Sequence, residues 1–163
     1  MKSLSIFTLL MCFQILLFGQ EIYFSDPIPV AENTYGNKAP RISLLEDGSP
    51  VVYFGKSGAN PSLYVTRGVP GGFETPVSIP LNGLGVNLWS GELGPQIATF
   101  ANTVYVVYEV YGDGIYVSTS IDSGDTWGDP VSTIDLAPGR YATLPSIGVD
   151  PLGNPIVNFV TTN

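Results

Sequence analysis

The stretch "SIDSGDTW", residues 120–127, separates two strand-like segments, "GIYVSTS" and "PVSTI". Ser120 and Asp122 have short side chains whose oxygens can accept backbone N–H groups across a tight turn. Gly124 can adopt a positive φ without steric cost. Trp127 then brings a large apolar ring with one N–H donor into the next strand. The stretch therefore predicts a hairpin turn between two strands.

This turn belongs to an internal repeat. "APRISLLEDGSPVVYF" from residue 39, "GPQIATFANTVYVVYE" from residue 94 and "LPSIGVDPLGNPIVNF" from residue 144 align without a gap. Each reads as a strand, a turn rich in Gly, Asp or Asn, and a second strand of β-branched and aromatic residues. Third-strand and fourth-strand segments follow the first two copies. The repeat predicts an all-β protein built of β-propeller blades, each with four antiparallel strands.

The N-terminal residues 1–19 read as a secretory signal peptide. Lys2 precedes an apolar run over residues 4–18, and the small residue Gly19 offers a cleavage site. The alternative is a membrane anchor, for which this apolar run is short. We therefore expect a secreted or cell-surface protein that has no membrane contact once the signal is removed.

Residues 20–163 are expected to form a partial β-propeller. Its parts are a closing strand at about 22–30, blade one at about 39–80, blade two at about 94–134 and the start of blade three at about 144–163. "FSDPIPV" resembles the fourth-strand segments, and a fourth strand that precedes the first blade closes the ring in many propellers. Because the sequence stops after the second strand of the third copy, we expect an N-terminal fragment with an incomplete ring.

Composition and charge exclude several classes of function. The sequence has no His, and its one cysteine, Cys12, lies in the predicted signal peptide. Ser-His-Asp and Cys-His catalysis and His-ligated zinc are therefore excluded for this chain, and we expect no metal site and no cofactor. The formal net charge is −8 and no basic stretch interrupts it. Such a surface repels phosphates, so we expect no nucleic-acid partner.

The spacing S-x-D-x-G-x-T-W resembles the Asp box, or BNR repeat, of the sialidase-like (neuraminidase) superfamily of β-propellers. The matching positions are Ser120, Asp122, Gly124, Thr126 and Trp127. In that family the motif lies between the third and fourth strands of a blade, and its role is structural. The alternatives are an ordinary hairpin turn, or a calcium loop, which would need more ligands than Asp122 and Asp125.

The resemblance implies a binding face made of the loops that join second to third strands and one blade to the next. The candidate ligand-binding residues on this face are Arg41, Lys56, Asn60, Trp89, Glu92, Asp113 and Arg140. Trp89 and Tyr141 could offer apolar surfaces to sugar rings, with Asn87 among the hydrogen-bonding groups. The alternative is that both aromatic rings pack between neighbouring blades.

Arg41 is the one candidate for a catalytic residue. Sialidases hold a sugar carboxylate with three arginines, the first in an R-I-P motif, and Arg41 begins "RIS". The resemblance implies a carboxylate clamp, but the position is a variable one in the repeat, where Gln96 and Ser146 are its equivalents. The nearest match to the family's acid/base Asp is Asn60, which cannot transfer a proton.

The sequence favours a secreted, non-catalytic propeller that binds a glycan or an extracellular or cell-surface protein. The alternative is a sialidase-type exo-glycosidase, an exo-α-sialidase, whose remaining catalytic residues would lie beyond residue 163.

Overall fold

The computed structural model describes residues 26–31, 37–88 and 94–162. Within these ranges the chain forms eleven β-strands and no helix, so the predicted all-β fold is confirmed. The strands are β1 (Asn37–Leu44), β2 (Pro50–Lys56), β3 (Ser62–Val69), β4 (Gly72–Phe73), β5 (Val77–Ile79), β6 (Gln96–Phe100), β7 (Thr103–Val110), β8 (Gly114–Ser120), β9 (Val131–Ser132), β10 (Tyr141–Val149) and β11 (Pro155–Thr162). A helix with the length and apolarity to cross a membrane is absent from these ranges.

The strands form three antiparallel sheets that follow the order of the chain. The first sheet has the order β1-β2-β3, and both β4 and β5 pair with β3. The second has the order β6-β7-β8-β9, and the third consists of β10 and β11. Each sheet contains one copy of the sequence repeat. Within a copy, short turns join adjacent strands, and such turns favour antiparallel neighbours.

Strand β7 is buried on both faces. Val104, Val106 and Tyr108 belong to a core cluster that they share with the first sheet. Val107, which points the opposite way, belongs to a second cluster with Ala142 of the third sheet. Successive side chains of a strand point to opposite faces, so a doubly buried strand needs an unbroken apolar run such as "VYVVY", residues 104–108 of β7. The second sheet therefore packs between the first and the third.

Polar contacts align the three sheets. The Ser43 and Thr99 hydroxyls lie 2.8 Å apart, and the Thr99 hydroxyl also donates to the Leu44 carbonyl at 2.6 Å. The Tyr105 hydroxyl donates to the Gly153 carbonyl at 2.8 Å, which joins the second sheet to the third. The β1–β2, β6–β7 and β10–β11 turns thus share one end of the sheets, here the lower end. The loops after β2 and β7 lie at the opposite, upper end.

Two equivalent first strands carry the same irregularity. Ala39 in β1 and Leu144 in β10 have positive φ values of 49° and 57°, and a proline follows each. The strand register shifts at both places. A residue before proline normally adopts extended backbone, so these are costly conformations held by the surrounding sheet. Each bulge lies directly before Arg41 or Ser146, and bulges commonly redirect side chains.

Residues 26–31 form no strand, and residues 28–31 line a cleft together with residues 71–76 of the first sheet. The closing strand at about 22–30 stays a prediction, because residues 22–25 lie outside the described residues. The predicted signal peptide, 1–19, also lies outside them.

The packing of the third sheet against the second can be tested at Gly153. Its φ is +88°, and a Cβ there would lie 2.8 Å from the Phe100 ring of the second sheet. Gly48, in the equivalent turn of the first sheet, has a φ of +82° and nothing within 4 Å. We expect Gly48→Ala to lower the free energy of unfolding by about 1 kcal/mol, the backbone cost of a positive φ. Gly153→Ala should lower it further in urea titrations, and equal losses would contradict the packing.

Candidate functional site

The turn predicted as an Asp box is closed by hydrogen bonds among its own residues. The Ser120 hydroxyl accepts from the Gly124 N–H at 2.9 Å and donates to Asp122 Oδ1 at 2.7 Å. Asp122 Oδ1 also accepts from the Thr126 N–H at 2.9 Å, and the Thr126 hydroxyl donates to Oδ2. The Trp127 indole donates to the Gly124 carbonyl at 3.0 Å. The polar groups of the motif are therefore engaged within the turn.

The same turn attaches the second sheet to the first at the lower end. Gly124 has a φ of +101°, and a Cβ there would lie 3.1 Å from a methyl group of Val65. The Trp127 ring packs against the core that the two sheets share. Asp125 reaches Arg67 of the first sheet at 3.9 Å, and Arg67 also pairs with Glu74 at 2.7 Å.

The Asp122 carboxylate should contribute a pH-dependent part of stability. Hydrogen bonds from the Thr126 side chain and backbone, and then from Ser120, lower its pKa from 3.8 to about 2. A carboxylate whose pKa is lower in the folded state stabilises that state above its unfolded pKa, and the contribution disappears as the pH falls through the folded pKa.

We expect wild type to be more stable than Asp122→Asn at pH 7 and down to about pH 4, with the difference vanishing as the pH approaches about 2. Urea unfolding at a series of pH values measures this difference. Thr126→Val, which removes the hydroxyl donor, should reduce it. A difference that is constant from pH 7 to pH 2 would contradict the role of the charge.

Arg41 lies on β1 directly after the bulge and contacts Gln96, which occupies the equivalent repeat position on β6. Its Nε donates to Gln96 Oε1 at 3.1 Å, and its Nη1 donates to the Pro40 carbonyl at 3.0 Å. Gln96 also donates to the Gly94 carbonyl at 3.1 Å. Ser146, the third equivalent, is exposed on β10. The structure thus joins two of the three repeat-equivalent side chains.

Tyr53, the strand partner of Arg41, is fully buried beneath this position. Its hydroxyl has no hydrogen-bond partner among the residues that the structure describes, and burial raises its pKa. Leu88 and Gly55 lie beside the hydroxyl end of this ring.

Three more of the predicted binding residues lie at the upper end. Lys56 ends β2, Asn60 lies in the loop that follows, and Arg140 precedes β10; all three are exposed. Trp89 and Glu92 lie outside the described residues.

A cleft of about 470 Å³ opens at the upper end between the second and third sheets. Its lining residues are Glu109, Val110, Tyr111, Gly112, Asp113, Gly114, Tyr141 and Ala142. Tyr111 and Tyr141 are 84 % and 56 % exposed. The structure therefore brings together the predicted Asp113 and Tyr141, and it adds Glu109 and Tyr111, which sequence reasoning missed.

Glu109 forms part of the wall of this cleft and is only 9 % exposed. Its Oε1 accepts from Asn87 Nδ2 at 2.9 Å, and its Oε2 accepts from the Thr143 hydroxyl at 2.7 Å. Its backbone carbonyl accepts from the Asn87 N–H at 2.8 Å. Buried carboxylates need such donors, and these link the segment before β6 to β10. A sequence signal existed, because Glu109 is the one charged residue in "TVYVVYEV".

Asp113 is held by a neighbour in the second sheet. Its Oδ2 accepts from the Tyr116 hydroxyl at 2.6 Å, and this hydrogen bond raises the pKa of Tyr116. Asp113 and Tyr116 also border a second cleft of about 470 Å³, on the side of β9. Within the described ranges, no group of three or more acidic or cysteine side chains is placed to hold a metal ion.

No family model matches the sequence, and no curated protein matches it. Among solved structures, the Hadza microbial sialidase Hz136 resembles this chain with a TM-score of 0.55 and 15 % sequence identity. The similarity covers 79 % of this chain and 33 % of that sialidase, so the chain spans about a third of its length. At this identity the similarity shows the fold, which is an all-β, sialidase-like arrangement of antiparallel sheets.

Proposed function

We propose that the chain is part of a secreted, sialidase-like β-propeller that binds glycans without hydrolysing them. Each antiparallel sheet corresponds to a blade, and the turn at residues 120–127 is an Asp box. Support comes from the packing of the three sheets in chain order and from the similarity to part of a sialidase. The signal-like sequence at residues 1–19 supports export.

The observation that carries glycan binding is the composition of the upper-end cleft. Two exposed tyrosines, Tyr111 and Tyr141, offer rings on which the C–H face of a sugar can stack. Two carboxylates, Glu109 and Asp113, offer oxygens to which sugar hydroxyls can donate. Apolar surfaces combined with a few fixed polar groups are typical of small-ligand sites.

The arrangement around Arg41 favours binding over catalysis. Hydrolysis of a sialoside needs a carboxylate clamp, a nucleophile and a proton donor within hydrogen-bond reach of one another. The Arg41 guanidinium donates to the Gln96 side chain and to the Pro40 carbonyl, and Asn60 cannot supply a proton.

A second candidate is a sialidase-type exo-glycosidase. It is favoured by the sialidase-like fold and by the place of Arg41 on the first strand of the first sheet. The remaining catalytic groups would then come from beyond residue 163.

One experiment separates the two candidates. The intact protein is applied to an array of sialylated and non-sialylated glycans, and hydrolysis of a fluorogenic sialic-acid substrate is measured in parallel. We expect retention on the array and no turnover. Absence of retention would contradict glycan binding.

Turnover that survives Asn60→Ala but disappears with Arg41→Ala would establish the second candidate, with Arg41 as its carboxylate clamp. Arg67→Ala is the matched control, because it removes an arginine at the lower end, where Arg67 pairs with Glu74, and should leave any such turnover unchanged.

A further inference from the structure

We propose that the cleft between the second and third sheets is the saccharide site and that it selects uncharged sugars over sialic acid and other anionic sugars. This inference rests on the proposed glycan-binding function, and it departs from the ligand that a sialidase-like fold would suggest.

The charge of the lining carries the selectivity. Two of the eight lining residues are ionisable acids, Glu109 and Asp113, and none is basic. No ion pair of the described residues involves either carboxylate. A sugar carboxylate in contact with this lining would lie well inside the screening length of about 8 Å at physiological salt, so Glu109 and Asp113 would both repel it. Arg140, which directly precedes Tyr141, is exposed and does not line the cleft.

The hydrogen bonds of both carboxylates fix their positions and leave them able to accept more. Glu109 receives neutral donors from Asn87 and Thr143, and Asp113 receives one from the Tyr116 hydroxyl. A carboxylate has about four acceptor positions, so each retains capacity for further donors. Hydroxyl groups of a neutral sugar are donors of the required kind.

The two tyrosines belong to different sheets, and both line the cleft. Tyr111 follows β7 in the second sheet, and Tyr141 begins β10 in the third. Both expose most of their surface, although large aromatic side chains gain stability from burial. Gly112, which also lines the cleft, has nothing within 4 Å of the place where a Cβ would be, so the backbone of the turn after β7 is accessible there.

The test uses an array on which each neutral oligosaccharide is printed beside its sialylated or uronic acid counterpart, with the intact protein as the probe. We expect binding to neutral members and weak or no binding to their anionic counterparts. Tyr111→Ala and Tyr141→Ala should each weaken neutral binding by about three- to tenfold, the range of an aromatic contact. Ile121→Ala, at a residue 79 % exposed at the lower end, is the matched control and should leave binding unchanged.

Asp113→Asn tests the charge separately, because asparagine keeps an acceptor for Tyr116 while it removes the negative charge. We expect it to raise binding of the anionic members relative to the neutral ones. The control Glu46→Gln removes an exposed acid in the β1–β2 turn at the lower end, and it should leave the ratio of anionic to neutral binding unchanged. Tighter binding of sialylated members, or neutral binding unaffected by both tyrosine variants, would overturn the inference while leaving glycan binding intact. Retention of no glycan would overturn both.

Discussion

The burial of β7 on both faces is the constraint on which the rest of the structure depends. A strand with one solvent-exposed face alternates apolar and polar residues. Both faces of β7 are buried, so the residues from Val104 to Tyr108 that point to either face are apolar. The first sheet covers one face of β7 and the third sheet covers the other, so either sheet alone would leave one face of the strand exposed. The order of the sheets therefore follows from one eight-residue segment. Its backbone is paired on both edges as well, by β6 and β8.

The same strand positions the candidate site. Where β7 reaches the upper end, its alternation places Glu109 on the side of the third sheet, against Thr143. The chain then turns at Tyr111 and Asp113 before β8 begins. A rigid, doubly buried strand thus presents one carboxylate, and a short turn presents a second carboxylate and an exposed ring. Sites held on such elements keep their geometry better than sites built on long loops.

The repeat and the turn chemistry made much of the fold predictable. Three aligned copies of the repeat predicted antiparallel strands in the correct order. The stretch "SIDSGDTW" predicted a hairpin turn whose side chains form hydrogen bonds within the turn. The bulges at Ala39 and Leu144 were not predictable, because a residue before proline ordinarily avoids positive φ. Glu109 was not predictable as a site residue for a physical reason: its carboxylate belongs to a buried strand, and its donors Asn87 and Thr143 are distant in sequence.

Strand β7 is the common core of the three sheets, and native-state hydrogen exchange tests this role most directly. Amides that open only with global unfolding exchange slowest, while amides at sheet edges open locally. We predict that the slowest amides of the chain lie in β7, around Val106 and Val107, and that their opening free energy equals that of global unfolding. Strand β11, which among the described residues pairs with β10 alone, should exchange much faster. Exchange in β7 as fast as in β11 would contradict the account.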